Sequence, residues 1–317
     1  MNSNENIPSI DLEDFLSGDP VRKQAFVMQL GLAYENIGFV AVRNHGLSDE
    51  LTDQLYRRVK AFFDLPVEIK KKYEIEGLAG QRGYTSFGKE HAKGAKEGDL
   101  KEFWHFGQEV EDNDPIKNEY YPNVICEEVP GFNKVGIQAY KALENAGKEI
   151  LRAIALYLGL EENYFDAKIH NGNSILRPIH YSPIIDEPKN AVRAGEHEDI
   201  NLITLLIGAS AEGLAIKTLD DKWVPVTALP GQIVVNVGDM LQRLTNNKLR
   251  STTHCVLNPP RELWNTSRYS IPFFLHPRMD MPLDCLASCI DEKNPVAYAP
   301  ITAGEYLIER LREIGLK

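Results

Sequence analysis

Helical periodicity dominates the first half of the chain. Asp19 before Pro20 offers a side-chain cap followed by proline at the first helical position, and Phe26, Leu30 and Ala33 recur at helical spacing until Gly38. Phe39 to Val42 is a short apolar run closed by the turn Asn44-His45-Gly46, after which Leu51, Leu55, Val59 and Phe62 mark a second helical stripe. A longer pattern carried by Val135, Leu143, Ile150, Ile154 and Leu158 predicts a helix from about Phe132 to Leu158. Between these, Gly77 to Gly98 mixes glycines and charges without a period and is expected to be a mobile loop, while Phe103-Trp104-His105-Phe106 reads as a strand or pocket wall.

After Asn171 the texture changes. Short apolar or alternating runs set off by turn residues cover Ser174 to Tyr181, Leu202 to Ile207, Leu214 to Lys217, Gln232 to Val237, His254 to Leu257 and Tyr269 to Leu275. Strands at this density predict a β-sandwich or jelly roll. A last helix carries a full start signal: Thr302 and Glu305 as capping box, Ile301 and Tyr306 as hydrophobic staple, then Leu307, Leu311 and Ile314 as the buried stripe before Gly315. With no internal repeat and no linker, residues 1–317 are expected to form one structural unit. Its parts are a helix-rich region over 1–120, a jelly-roll core over 170–280 and a C-terminal helix over 300–317. The expected class is α+β, mainly β.

Composition narrows the function. Apolar residues at 43% and charged ones at 26% exclude disorder and low complexity. A net charge of −11 repels phosphate backbones, so neither nucleic acid nor an anionic membrane surface is an expected partner. Four cysteines, Cys126, Cys255, Cys285 and Cys289, without a CxxC pair read as reduced thiols of a cytoplasmic protein. Met1 to Asn6 is polar and acidic and no apolar run approaches a membrane span, so neither a signal peptide nor a transmembrane segment is expected. HExxH, P-loop and GxSxG motifs are absent from the sequence.

Chemistry concentrates at three places. His197 and Asp199 stand two apart just before the run Leu202 to Ile207, and on an extended segment such residues share a face, so both can point at one atom while Glu198 faces away. An imidazole and a carboxylate so placed are two thirds of a 2-His-1-carboxylate site for non-haem Fe(II), which leaves positions open opposite the protein ligands. Of the eight histidines, His254, 55 residues beyond Asp199, is the candidate third ligand, a separation long enough to cross a jelly roll and return. Arg268 and Ser270 then put a guanidinium and a hydroxyl on one strand face, a combination suited to gripping a carboxylate; an internal ion pair is the competing role for the arginine.

The order HxD, His, RxS, read as His197-Asp199, His254 and Arg268-Ser270, resembles the iron(II)- and 2-oxoglutarate-dependent dioxygenases, specifically their isopenicillin N synthase-like branch. The resemblance extends over nearly the whole chain through Ile7-Pro8-Ser9-Ile10-Asp11-Leu12, Gly38-Phe39-Val40 to Asn44-His45-Gly46, Asp99 to Trp104, His180-Tyr181 and Val235-Asn236-Val237-Gly238-Asp239. It implies a double-stranded β-helix (jelly roll) core with flanking helices, and Fe(II) bound by His197, Asp199 and His254. It further implies that Arg268 and Ser270, assisted by Tyr181, hold the distal carboxylate of 2-oxoglutarate. Dioxygen and 2-oxoglutarate would then yield succinate, carbon dioxide and oxidation of a substrate C–H bond, by default hydroxylation, with desaturation or cyclisation as variants.

A small-molecule substrate follows, whether amino acid, peptide or secondary metabolite. Tyr84, Phe87, Trp104, Phe106 and Phe274 are candidate pocket aromatics, and Lys101 and Arg82 could meet an acidic substrate. His45 and His180 read as structural. Two other functions share parts of the pattern. One is an oxidase of the isopenicillin N synthase type that uses no 2-oxoglutarate. The other is a catalytically silent jelly-roll binding or sensor protein.

Overall fold

The computed structural model describes residues 7–78, 80–89, 100–185, 187, 192–208, 213–226 and 229–313. In the first half, β1 (Ser9–Asp11), α1 (Leu12–Leu16), α2 (Pro20–Asn36), β2 (Phe39–Arg43), α3 (Asp49–Phe63), α4 (Val67–Lys71), β3 (Gly83–Thr85), β4 (Glu102–Gly107), α5 (Phe132–Tyr157) and α6 (Asp166–Ile169) follow one another. Strands then dominate: β5 (Ile175–Leu176), β6 (Ile179–Tyr181), β7 (Ala194–His197), β8 (Ile203–Ile207), β9 (Leu214–Lys217), β10 (Trp223–Pro225) and β11 (Ile233–Val237). The chain finishes with α7 (Asp239–Leu244), β12 (His254–Val256), β13 (Arg268–Leu275) and α8 (Ala303–Glu313).

The expected start signals are the ones used. Asp19 accepts from the backbone N–H of Val21 at 2.8 Å ahead of α2, and the Thr302 N–H and hydroxyl both donate to Glu305 ahead of α8. Ile314, the last expected member of the α8 stripe, and Met1 to Asn6 lie outside the described residues. Gly77 to Gly98 is not all loop: β3 lies within it and pairs with β4. Residue 79 and residues 90–98 of that stretch are outside the described set.

Two sheets face each other as a jelly roll, that is, a double-stranded β-helix. The larger runs β1-β2-β11-β8-β13-β5-β4-β3 with β6 joined to β13 and β4, and the smaller runs β10-β9-β12-β7. The N-terminal region therefore supplies strands at both ends of the large sheet, β1 and β2 at one and β4 and β3 at the other.

Strand alternation decides what each face does. Ile203, Leu205 and Ile207 of β8, Ile233, Val235 and Val237 of β11, and Tyr269, Ile271, Phe273 and Leu275 of β13 all join the main core with the buried faces of α2, α3 and α5. The intervening residues point between the sheets. Gly147 lets α5 lie close on this core, since an added Cβ would sit 2.3 Å from Leu275 Cδ1. Between the sheets, one apolar cluster holds Phe39, Ala41, Leu214, Ile216 and Val234, and another holds Phe103, Ile179, Tyr181, Ala194 and Val256. Both clusters contribute walls to one cavity of about 200 Å³.

Candidate active site

β7 and β12 bring the separated motifs together. They pair antiparallel with His254 directly opposite His197, and Asp199 follows two residues after β7 ends. One ligand atom from each of His197, Asp199 and His254 lies within 4.8 Å of the other two. Asp199 Oδ1 stands 3.9 Å from His197 Nε2 and 3.7 Å from His254 Nε2, and the imidazole centroids are 4.3 Å apart. Glu198 is outside the group and accepts from the Thr253 hydroxyl instead.

The surroundings orient all three. His197 Nδ1 sits 2.7 Å from the Gly195 carbonyl, and His254 Nδ1 3.1 Å from that of Thr252. A carbonyl only accepts, so the proton belongs on each Nδ1 and both Nε2 lone pairs face the centre. Loss of hydration on burial, then the neighbouring His254, lowers the His197 pKa to about 4, which keeps the ring neutral at pH 7. Burial alone would raise Asp199, but His254, His197 and hydrogen bonds from Asn236 and Thr204 outweigh it and hold the carboxylate ionised. Those bonds, 2.8 Å from Asn236 Nδ2 and 2.6 Å from Thr204 Oγ1, both end on Oδ2 and leave Oδ1 to the imidazoles. Asn236 and Thr204 are partners across β11 and β8.

The Val-Asn-Val-Gly-Asp stretch thus backs the Asp199 loop. The Asp239 N–H donates to the Asp199 carbonyl at 2.9 Å. A Cβ on Gly238 would come within 2.1 Å of Asn201 Oδ1, so only glycine permits that approach. The motif was visible in sequence, but the role of Asn236 depends on its cross-strand neighbour. Thr204 had no signal of its own.

The acid-binding candidates lie along the inner face of β13. Arg268 pairs with Tyr181 and Ser270 with Ile179, and the Arg268 guanidinium lies 5.0 Å from the centre of the Tyr181 ring. Arg268, Ser270, Pro272 and Phe274 line the cavity at alternate positions, as do Ile175, Arg177, Ile179 and Tyr181 from the strands alongside. Counting by twos from Tyr181 would have found Arg177, which sequence reasoning missed. Its guanidinium is 5.0 Å from the Phe274 ring. Leu307, Arg310 and Leu311 of α8 complete another part of the wall.

Lys101 lines the same cavity, but Tyr84, Trp104 and Phe106 do not. The correction is one of parity. Lys101, just before β4, and Phe103 on it face inward, so Trp104 and Phe106 must face the helices, and Tyr84, paired with Trp104, goes with them. Trp104 is fully buried against Phe62 and Phe132, and the Tyr84 hydroxyl donates to buried Glu102 at 2.5 Å. Phe87 is 42% exposed and stands off the cavity wall. Arg82 is a buried brace rather than a surface cation, donating to Gln108 and to backbone carbonyls of Gln81 and Tyr121. His180 bridges Glu102 and Ser267. Trp104→Ala should therefore cost about 3–5 kcal/mol of stability in denaturant titration, with the substrate KM unchanged; a raised KM at unchanged stability would return Trp104 to the pocket.

Two family models match the chain: a non-haem dioxygenase N-terminal model over residues 7–128 and the 2OG-Fe(II) oxygenase superfamily model over residues 172–277. Kihadalactone A synthase LFS of Citrus sinensis is 33% identical, the alignment covering 98% of this chain and 92% of that protein. The proline hydroxylase buaE of Petromyces alliaceus is also 33% identical, over 96% and 98%. Among solved structures, a 2OG-Fe(II) oxygenase family protein from Caulobacter crescentus superposes with a TM-score of 0.87 at 42% identity, covering 97% of this chain and 99% of that one. A full-length Neurospora crassa protein in complex with alpha-KG gives 0.84 at 29% identity, covering 98% of each chain.

Proposed function

The chain belongs to the 2OG-Fe(II) oxygenase superfamily, and on that premise we propose that His197, Asp199 and His254 hold its iron while Arg268, Ser270 and Tyr181 hold the far carboxylate of 2-oxoglutarate. The protein is a 2-oxoglutarate-dependent dioxygenase: with Fe(II), 2-oxoglutarate and O2 it couples decarboxylation of the keto acid to oxidation of a small molecule. The observation that carries the residue assignment is the meeting of two imidazoles and one carboxylate at a single point of the cavity that Arg268 also lines. Two nitrogens and one oxygen suit ferrous iron and leave coordination positions open. When bound, the iron supplies the redox chemistry that activates dioxygen.

The chain's own residues do the positioning. Thr204 and Asn236 keep Asp199 from rotating, and Gly195 and Thr252 set the imidazole tautomers. The Arg268 guanidinium offers the paired donors that a planar carboxylate requires. Phe39, edge-on to His254 at 5.7 Å, and Leu206 and Leu214 keep water from the centre.

We read the substrate as an amino acid, peptide fragment or secondary metabolite resting against Phe274, with donors from Lys101 and Arg177 within the same wall. The default outcome is hydroxylation. Four free thiols fit a cytoplasmic setting, and among the described residues no helix is long and apolar enough to cross a membrane. A substrate screen should give one succinate per oxidised product and no product when 2-oxoglutarate is withheld. Product without the keto acid would instead favour an oxidase of the isopenicillin N synthase type, a reading that relatives named as 2-oxoglutarate oxidoreductases do not favour. The same relatives disfavour a silent binding protein.

A further inference from the structure

The inner row of β13 does not stop at Phe274. His276, two residues further and just past the end of the strand, continues the alternation of Arg268, Ser270, Pro272 and Phe274 and lines the same cavity. It is 7% exposed. Its main chain is held in place: the His276 N–H donates to Ser174 Oγ at 3.1 Å, the Ser174 hydroxyl donates to the His276 carbonyl at 3.4 Å, and the Leu202 N–H donates to the preceding carbonyl, that of Leu275, at 3.1 Å. Gly172 passes so near that a Cβ there would sit 2.3 Å from the His276 carbonyl oxygen. Both hydrogen bonds of His276 belong to its backbone, and the imidazole has no hydrogen-bond partner among the described residues.

A buried polar ring left unpaired costs free energy, and a ligand that supplies the bond recovers it. Burial, and after it the charge of Arg177, lowers the His276 pKa to about 4, so at pH 7 the ring is neutral and offers one N–H and one lone pair. Arg177 is engaged differently. Its Nε donates to His105 Nε2 at 2.5 Å, and its guanidinium stands 4.4 Å from the centre of the Phe103 ring and 5.0 Å from that of Phe274. The wall thus places an aromatic ring, backed by a cation, two residues from a neutral hydrogen-bonding group.

We propose that His276 is a substrate-binding residue that selects a neutral molecule, one whose flat apolar part rests on Phe274 while an amide, carbonyl or hydroxyl group bonds the imidazole. This deepens the substrate reading above and rests on it. An apolar analogue would leave the ring unpaired, and a site built to hydrogen-bond its substrate rejects such an analogue strongly. A free carboxylate would find at this position one donor and no charge.

The test uses the Zn(II)-loaded protein with 2-oxoglutarate, carrying isotopically labelled histidine nitrogens, and three probes that share a ring: benzamide, benzoate and toluene. In the parent protein, millimolar benzamide should shift the NMR signals of the His276 ring nitrogens, identified by their loss in His276→Gln, and toluene should not. His276→Leu should weaken benzamide roughly tenfold and leave toluene within about twofold. His276→Gln keeps a donor and an acceptor and should hold benzamide within about threefold of the parent. Benzoate should bind the parent more weakly than benzamide. Absence of benzamide binding, unmoved His276 nitrogens, an unchanged benzamide affinity in His276→Leu, or tighter binding of benzoate would each overturn the proposal, and the parent spectra decide it if the leucine variant does not fold. A parent that fails to bind 2-oxoglutarate overturns the site assignment underneath, whereas normal 2-oxoglutarate binding with no benzamide response removes only the role of His276.

Discussion

Asp199→Ala should leave the protein unable to hold stoichiometric iron. The carboxylate is the one anionic donor of the trio, and its Oδ1 lies within 3.9 Å of both Nε2 atoms. Removing it leaves two imidazoles and strands the donors of Thr204 and Asn236 that now end on Oδ2. Loss of a donor that orients a metal ligand already costs roughly 10–100-fold in affinity, so loss of the ligand itself should exceed that range. Metal analysis after desalting reads the result directly, and His197→Ala and His254→Ala should behave alike. Full iron content in all three variants would contradict the assignment. The fold should survive, because none of the three side chains belongs to the apolar core beneath the large sheet.

Arg268→Ala is expected to uncouple co-substrate binding from iron binding. Arg268 is 1% exposed on the inner face of β13, and a keto acid carboxylate seated beside it would be stripped of water. Leaving one member of a buried charge pair without the other costs roughly 3–5 kcal/mol, two to three orders of magnitude or more in affinity. Titration with 2-oxoglutarate should show that loss while iron content stays at one per chain. An unaltered 2-oxoglutarate affinity would move the acid subsite to another residue. Equal losses of iron and keto acid would point to collapse of the sheet edge instead.

Much of the site was legible because it follows local rules. Asp19 and Pro20 opened a helix by supplying a cap and a preset φ angle, and His197 with Asp199, or Arg268 with Ser270, shared a face because strands alternate. The errors have the same origin. Tyr84 and Trp104 look like pocket residues as aromatics near the recognised motifs, yet one step along a strand reverses the face, and the pairing of β3 with β4 sends both into the helix-covered core. Strand β7 carries an Ala-Gly-Glu-His sequence with little apolar signal, since its inward residues serve the site and not the core.

By itself the sequence determined the kinds of element and the kinds of donor, because helix caps, strand alternation and side-chain chemistry act over a few residues. Only the tertiary structure decided which donors meet. His197 and His254 become neighbours through the antiparallel pairing of β7 with β12, and Asn236 reaches Asp199 through the pairing of β11 with β8. These juxtapositions depend on register between strands distant in the chain, which is selected by how the two sheets bury their inner faces together, and no local pattern encodes that choice.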